Sequence, residues 1–235
     1  MSTIINSNQI RQSGDTSHQT LINESQIRAS GDTSTETLIN ANQVASVIPS
    51  RYTVVDWVNS TGGAWIDTGV KPDDTIVVRC KFIMKHYDGV AFIGHYENPH
   101  SESNTFRFFR SDTTTYLDYG SGDGKNRISG SYVTSKTKIY DMEFGNRYVK
   151  DLTTNTVKFS GTTVTFSQKS YTIKLFDTTN YGTCYYFQIE KGGELVRDYV
   201  PVYDTVTEKY GLYDKANQNF KLSDGSVDFT GGNDE

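Results

Sequence analysis

Proline and cysteine are scarce in this chain, and long apolar runs are missing altogether. Four prolines beside 20 glycines suit an antiparallel meander with many turns. The two cysteines, Cys80 and Cys184, do not belong to a Cys-x-x-Cys pair, which disfavours zinc sites and thioredoxin-like redox chemistry. We expect two buried thiols, and a single disulfide stays open at this stage. No run of about 18 apolar residues occurs, so membrane insertion is not predicted.

Basic clusters and metal-ligand patterns are also missing from the sequence. The net charge is −5, and Lys and Arg form no stripe, which argues against a nucleic-acid partner. The four histidines form neither an HExxH motif nor a close pair, so no metal and no other cofactor is predicted. The first residues lack the pattern of a signal peptide. This predicts synthesis in a cytoplasm, followed by assembly into a particle there or export by another route.

A repeat of 17 residues occupies the first part of the chain. Residues 5–17 (INSNQIRQSGDTS) recur as residues 22–34 (INESQIRASGDTS), and a third copy begins at residues 39–44 (INANQV). Each full unit of 17 residues, 5–21 or 22–38, has only three Ile or Leu side chains, too few to offset an ordering cost of about 1–2 kcal/mol per residue. The repeat should therefore order only against a neighbouring surface. A low-complexity tail without a fold of its own is the alternative.

The repeat predicts a division of the chain into two parts. Residues 1–50 are interpreted as an anchor and oligomerisation segment and residues 51–235 as one domain, because Pro49 blocks a continuing helix or central strand. Copies that cannot bury their own apolar residues favour a symmetric homo-oligomer; a trimer is favoured, and a dimer is the alternative. The predicted anchor and oligomer contacts are Ile5, Ile10, Leu21, Ile22, Ile27, Leu38, Ile39 and Val44.

From Tyr52 onward the hydrophobic pattern has a period of two, which is typical of strands. Residues 76–84 and 140–144 alternate in this way, and the same pattern predicts that Tyr185, Phe187 and Ile189 face inward. Hairpin turns are expected at residues 152–156 and at Gly192 with Gly193. No amphipathic helix of about ten residues or more is found. Short strands without helices imply an all-β sandwich, jelly roll or barrel. A domain of about 180 residues has the usual size of a two-sheet jelly roll, so the predicted fold is a two-sheet antiparallel jelly-roll sandwich preceded by the extended repeat.

Carboxylates offer little support for catalysis. A glycosidase needs two carboxylates about 5–9.5 Å apart, and jelly-roll glycosidases usually place them along one strand. Asp141 and Glu143 share a face because they are two residues apart. A single pair without a third carboxylate favours an ordinary solvated face, so the protein is predicted not to be an enzyme. A glycoside hydrolase or lyase remains the least favoured alternative.

Aromatic residues crowd positions 92–119, and aromatic rings are where sugars stack. Phe106 and Phe108 alternate with Arg107, so both rings are predicted to face inward. We hypothesise that other residues of this region form an exposed ligand-binding rim. For each of these residues, a place in the core or on a surface without function is the alternative. The rim candidates are Tyr87, His95, Tyr96, Tyr116 and Asp118.

Two segments resemble a known family. Residues 56–69 (DWVNSTGGAWIDTG) are similar to the opening strand of concanavalin A/laminin-G-like jelly-roll domains, which occur in phage virion fibres and in surface proteins of gut bacteria. Residues 193–202 (GELVRDYVPV) and 210–214 (YGLYD) are similar to the closing strands of that family. The resemblance implies a β-sandwich binding module over residues 52–231, and it brings no catalytic motif.

The repeat and the resemblance together predict a phage structural protein on the virion surface, of head-fibre or capsid-decoration type, assembled in the host cytoplasm. Residues 1–46 would bind capsid or other virion proteins, and the domain would adhere to host glycans. A phage tail-fibre protein and a carbohydrate-binding, lectin-like module of a bacterial cell surface are the alternatives.

Overall fold

The computed structural model describes residues 26–27, 39–40, 48–85, 88–94, 106–120, 126–166, 168, 171–176 and 181–234. The chain divides into two units, Met1–Ile48 and Pro49–Glu235. In the first unit, strands β1 (Gln26–Ile27) and β2 (Ile39–Asn40) pair in antiparallel fashion, with Ile27 opposite Ile39. These two strands come from the second and third copies of the repeat. The predicted anchor residues outside the described ranges are Ile5, Ile10, Leu21, Ile22, Leu38 and Val44.

The second unit is built from strands, and its described residues contain no helix. The strands are β3 (Tyr52–Val54), β4 (Trp57–Thr61), β5 (Ile66–Asp67), β6 (Val77–Met84), β7 (Asp88–Gly94), β8 (Phe106–Ser111), β9 (Thr114–Tyr119), β10 (Arg127–Gly130), β11 (Tyr140–Gly145), β12 (Tyr148–Asp151), β13 (Thr156–Ser160), β14 (Lys174–Leu175), β15 (Tyr181–Lys191), β16 (Glu194–Asp204), β17 (Lys209–Asp214), β18 (Asn219–Lys221) and β19 (Thr230–Gly232).

These strands form two antiparallel sheets. The small sheet has the order β10-β9-β8-β7-β14-β5. The large sheet has the order β13-β12-β11-β6-β15-β16-β17-β18. In addition, β3 pairs with β16, β4 pairs with β15, and β19 pairs with β4. The inward faces of both sheets contribute to one hydrophobic core. This is the arrangement of a β-sandwich, so the all-β part of the predicted fold class is confirmed.

The core is formed by the alternating apolar positions that the sequence predicted. Every second residue of β6, from Val78 to Met84, is fully buried, as are Phe106 and Phe108 of β8. Aromatic rings join the two sheets: Phe82 lies 4.8 Å from Phe92, and Phe108 lies 4.2 Å from Phe144, between ring centroids. Such pairs add about 0.5–1.5 kcal/mol each beyond the burial of their area.

A β-bulge overturns one predicted orientation. Strands β6 and β15 shift register between Cys184 and Tyr186, so Tyr185 is an extra residue in the ladder. Cys184 and Phe187 are both fully buried, although they are three residues apart, whereas Tyr185 is only half-buried. The inward position predicted for Tyr185 is therefore wrong, because a bulge changes which residues face the core. The inward positions of Phe187 and Ile189 are confirmed.

Three hairpins of the large sheet share one turn design. Each begins with a buried aspartate, Asp151, Asp204 or Asp214, whose carboxylate accepts a hydrogen bond from a backbone amide two or three residues later. The residue four positions after each aspartate has a positive φ; these residues are Asn155, Glu208 and Gln218. The turn between β15 and β16 instead uses Gly192 and Gly193, with φ of 61° and 85°. The turns predicted at residues 152–156 and at Gly192 with Gly193 are confirmed.

Both cysteines are fully buried and unbridged. Cys80 lies on β6 and Cys184 on β15, on the core side of two neighbouring strands. Burial, together with the neighbouring Cys184 thiol, raises the pKa of Cys80 well above the ordinary value for a thiol. The expectation of buried thiols is confirmed, and the raised pKa keeps the Cys80 thiol protonated at neutral pH.

Candidate functional site

Two of the five predicted rim residues are described, and both lie on β9. Tyr116 and Asp118 are two residues apart, so their side chains lie on the same face of the small sheet, opposite to the core-facing Leu117 and Tyr119. Tyr87, His95 and Tyr96 lie outside the described residues. The face that carries Tyr116 and Asp118 is therefore the candidate site that can be described.

Asp118 is fully buried on this face and is held by two arginines. Its Oδ2 accepts a hydrogen bond from Nε of Arg107 at 2.7 Å and one from Nη2 of Arg127 at 3.0 Å. Its Oδ1 accepts a third from Nε of Arg127 at 2.6 Å. The exposed position predicted for Asp118 is wrong, because the register of β8, β9 and β10 places an arginine on each side of it. Asp118 can act on a ligand only through the arginines that it orients.

The same face carries a stacked pair of aromatic rings. Phe109 and Tyr116 are directly opposite each other on β8 and β9, with ring centroids 5.0 Å apart and planes 17° apart. The Arg107 guanidinium lies 4.1 Å from the Phe109 ring, and the Arg127 guanidinium lies 5.1 Å from the Tyr116 ring. We call Arg107, Phe109, Tyr116, Asp118 and Arg127 the arginine–aromatic face.

Only two members of the arginine–aromatic face are available to a ligand. Arg107, Phe109 and Asp118 are buried, whereas Tyr116 and Arg127 are half-buried. Hydrogen bonds to Asp118 raise the pKa of Arg127 above its ordinary value, so this guanidinium stays charged and fixed in orientation. A fixed guanidinium beside a flat ring can hydrogen-bond sugar hydroxyls or a carboxylate while the ring packs on the apolar side of the sugar.

Sequence reasoning missed three members of this face, Arg107, Phe109 and Arg127. The alternation of residues 106–109 indicated an outward Arg107, but it gave no partner for it. Arg127 follows a Gly-rich stretch of sequence and carries no local signal of its own. Its contact with Asp118 depends on the pairing of β10 with β9, which places Arg127 opposite Asp118.

The carboxylates considered for glycosidase chemistry lie on the outer face of the large sheet. Glu143 accepts hydrogen bonds from Nε of Arg79 at 2.7 Å and from the Tyr148 hydroxyl at 2.8 Å. Arg79 also bonds Glu190 of β15 at 2.9 Å, which brings in a third carboxylate that spacing did not indicate. Asp141 accepts a hydrogen bond from the Tyr186 hydroxyl. Burial and these hydrogen bonds raise the pKa of Tyr148 and of Tyr186, so both hydroxyls remain donors at neutral pH.

Within the described ranges, no group of three or more His, Cys, Asp and Glu side chains is arranged to hold a metal ion. The part of the chain that the structure describes has no helix with the length and apolarity needed to cross a bilayer.

Comparison of the chain with protein-family models, with curated proteins and with solved structures gives no match in any of the three.

Proposed function

We propose that this protein is a structural protein of a phage virion, of head-fibre or capsid-decoration type, attached through its N-terminal repeats. The observation that carries the proposal is the contrast between the two units. Each repeat copy has three aliphatic residues in 17, whereas the second unit has a continuous core of buried aliphatic and aromatic residues. A self-sufficient domain that follows a segment dependent on a neighbouring surface suits a displayed module with an anchor.

The pairing of β1 with β2 supports the anchor role. These strands belong to successive copies of the repeat, and Ile27 lies opposite Ile39. Two strands of two residues have too few contacts to be stable alone, so this pairing calls for a further surface. We propose that residues 1–50 provide the contacts within a homo-oligomer, most simply a trimer, and that residues 1–46 bind capsid or other virion proteins.

We propose further that the sandwich is a jelly roll. The chain passes between the sheets repeatedly: β5 and β14 belong to the small sheet, while the strands that follow them, β6 and β15, belong to the large sheet. Such crossings between two packed antiparallel sheets are typical of jelly rolls. They agree with the family resemblance of residues 56–69 and 193–202.

Adhesion to a host glycan is the proposed role of the arginine–aromatic face. Tyr116 offers a half-buried ring and Arg127 a guanidinium held at two points by Asp118. Tyr87, His95 and Tyr96 remain sequence-based candidates for the same role. No catalytic step is proposed, since Glu143 is ion-paired with Arg79 and Asp141 is bonded to Tyr186. A tail-fibre protein and a bacterial cell-surface lectin are the alternatives that share this adhesion role.

Removal of residues 1–46 tests the anchor. We expect the shortened protein to be a folded monomer by light scattering that no longer joins the particle, whereas the full chain is oligomeric and does. A shortened protein that stays oligomeric and still attaches would contradict the anchor assignment.

A glycan array tests the adhesion role with full-length protein. Tyr116→Ala and Arg127→Met should each abolish the signals seen with the unchanged protein. The control is Tyr181→Ala, which removes an exposed tyrosine from the large sheet. Equal signals from all variants would contradict glycan binding at the arginine–aromatic face.

A further inference from the structure

A cleft of about 390 Å³ lies beside the first residues of β11 and the hairpin of β12 and β13. This volume is within the range of about 300–1,000 Å³ that is common for small-molecule sites. We call it the lysine–tyrosine pocket. It is lined by Tyr132, Lys138, Ile139, Tyr140, Asp141, Asp151, Thr153, Thr154 and Lys158. None of these residues belongs to the arginine–aromatic face.

The polar side of the pocket is built around Asp151. The Tyr132 hydroxyl donates a hydrogen bond to Oδ2 of Asp151, and the Thr154 amide donates one to Oδ1 at 3.1 Å. Burial alone would raise the pKa of Asp151, but these hydrogen bonds outweigh it and lower the pKa to about 2. Nζ of Lys158 lies 3.6 Å from the same carboxylate. The charges of Asp151 and Lys158 therefore offset each other.

The aromatic side of the pocket is formed by two tyrosines. The rings of Tyr132 and Tyr140 are 5.8 Å apart and meet edge to face at 71°. The Tyr140 hydroxyl accepts hydrogen bonds from the amides of Thr134 and Ser135, each at 3.0 Å, which fixes the ring against the loop before β11. Ile139, whose side chain is 41% exposed, adds an apolar surface to the same pocket.

Lys138 is the lysine of this pocket whose ammonium forms no ion pair with a described residue, in a lining that has two lysines and two aspartates. Its ammonium lies 5.7 Å from the Tyr132 ring and 5.2 Å from the Tyr140 ring. Among the described residues, no carboxylate and no other hydrogen-bond acceptor pairs with that ammonium. Asp141, the remaining acidic residue of the lining, is already bonded to the Tyr186 hydroxyl. A ligand anion would therefore meet a cation that has no competing partner in the described protein.

We infer that the lysine–tyrosine pocket binds one acidic sugar residue, of the hexuronate class. The carboxylate of the sugar would pair with Lys138, and its ring hydroxyls would find the hydroxyl groups of Thr153 and Thr154. The apolar side of the ring would rest on Ile139 and the half-buried Tyr132, since Tyr140 is only 2% exposed. The inference does not depend on where the protein resides or on the arginine–aromatic face.

The test uses full-length protein and three small probes: D-glucuronate, D-glucose and propionate. Binding is followed by saturation-transfer NMR and by titration calorimetry. We expect glucuronate to bind at least about tenfold more tightly than glucose or propionate, because only glucuronate offers both a sugar ring and a charge-assisted hydrogen bond. Propionate that binds as tightly as glucuronate would overturn the inference of a sugar site, and so would the absence of any glucuronate binding.

Variants then locate the site. Lys138→Met should weaken glucuronate binding on the order of tenfold, and Lys138→Glu should abolish it. Lys136→Met is the matched control, since Lys136 is exposed on the same loop and does not line the pocket. Equal thermal unfolding of the Lys138 variants and the control shows that the fold is kept. Unchanged glucuronate affinity in Lys138→Met would overturn the inference.

Discussion

Arg127 of β10 holds Asp118 of β9 at two points, through Nε–Oδ1 at 2.6 Å and Nη2–Oδ2 at 3.0 Å. Asp118 is fully buried, and Arg107 contacts it from the opposite side. Three strands of the small sheet are thus joined by one carboxylate. Removal of the Asp118 charge would leave the guanidinium groups of Arg107 and Arg127 without this carboxylate in a partly buried site.

Asp118→Asn should therefore lower the free energy of unfolding by about 2–3 kcal/mol. The control is Asp112→Asn, in the exposed turn between β8 and β9, where the positive φ of 51° suits asparagine as well as aspartate. The control should change stability by less than about 0.5 kcal/mol. Urea unfolding of the two variants measures both values, and equal stabilities would contradict a structural role for Asp118.

Asp151 should contribute to acid sensitivity. Its pKa is lowered to about 2 in the folded protein, below the value of about 3.9 for an unfolded chain. The stabilisation is therefore fully present above pH about 4 and is lost as the pH falls toward 2. Asp151→Asn should lower stability by about 1–2 kcal/mol at neutral pH and flatten the dependence on pH between about 2 and 4. Denaturation at several pH values checks this, with exposed Asp228→Asn as the control. A slope unchanged by Asp151→Asn would refute the assignment.

Turn residues with positive φ offer a pair of opposite predictions. Gln218 has φ of 53°, so Gln218→Gly should stabilise the protein by relieving backbone strain, by up to about 1 kcal/mol. At Gly193, φ is 85° and a Cβ would meet nothing within 4 Å. Gly193→Ala should therefore destabilise through backbone strain alone, by about 1 kcal/mol. Melting temperatures of the two variants should shift in opposite directions; shifts of the same sign would contradict this account of the turns.

The two thiols should be inaccessible in the native state. Cys80 and Cys184 are fully buried, and the pKa of Cys80 is raised well above its ordinary value. An aromatic disulfide reagent such as Ellman's should detect no thiol in native protein at pH 8 and both thiols in guanidinium chloride. Rapid reaction of either thiol without denaturant would show that the sandwich opens more readily than its packing indicates.

Local pattern predicted the strands well, because burial on one face of a sheet imposes a period of two on neighbouring residues. Positions 78–84 and 140–144 follow this rule, and their core-facing side chains are buried as expected. The rule failed at Tyr185, since a bulge is set by how β15 fits against β6 and leaves no mark in the period itself. The predicted exposure of Asp118 was wrong for a similar reason, because its burial depends on arginines that reach it from two other strands.

The sequence by itself determined the all-β class, the Gly-Gly turn and the 17-residue repeat, because each depends on residues close together in the chain. The tertiary structure alone decided which side chains of different strands meet. Arg127 reaches Asp118, Arg79 joins Glu143 to Glu190, and Lys158 approaches Asp151 only once the strands have paired in register. Strand register is a property of the packed sheets, since it is selected by the shared core on their inner faces.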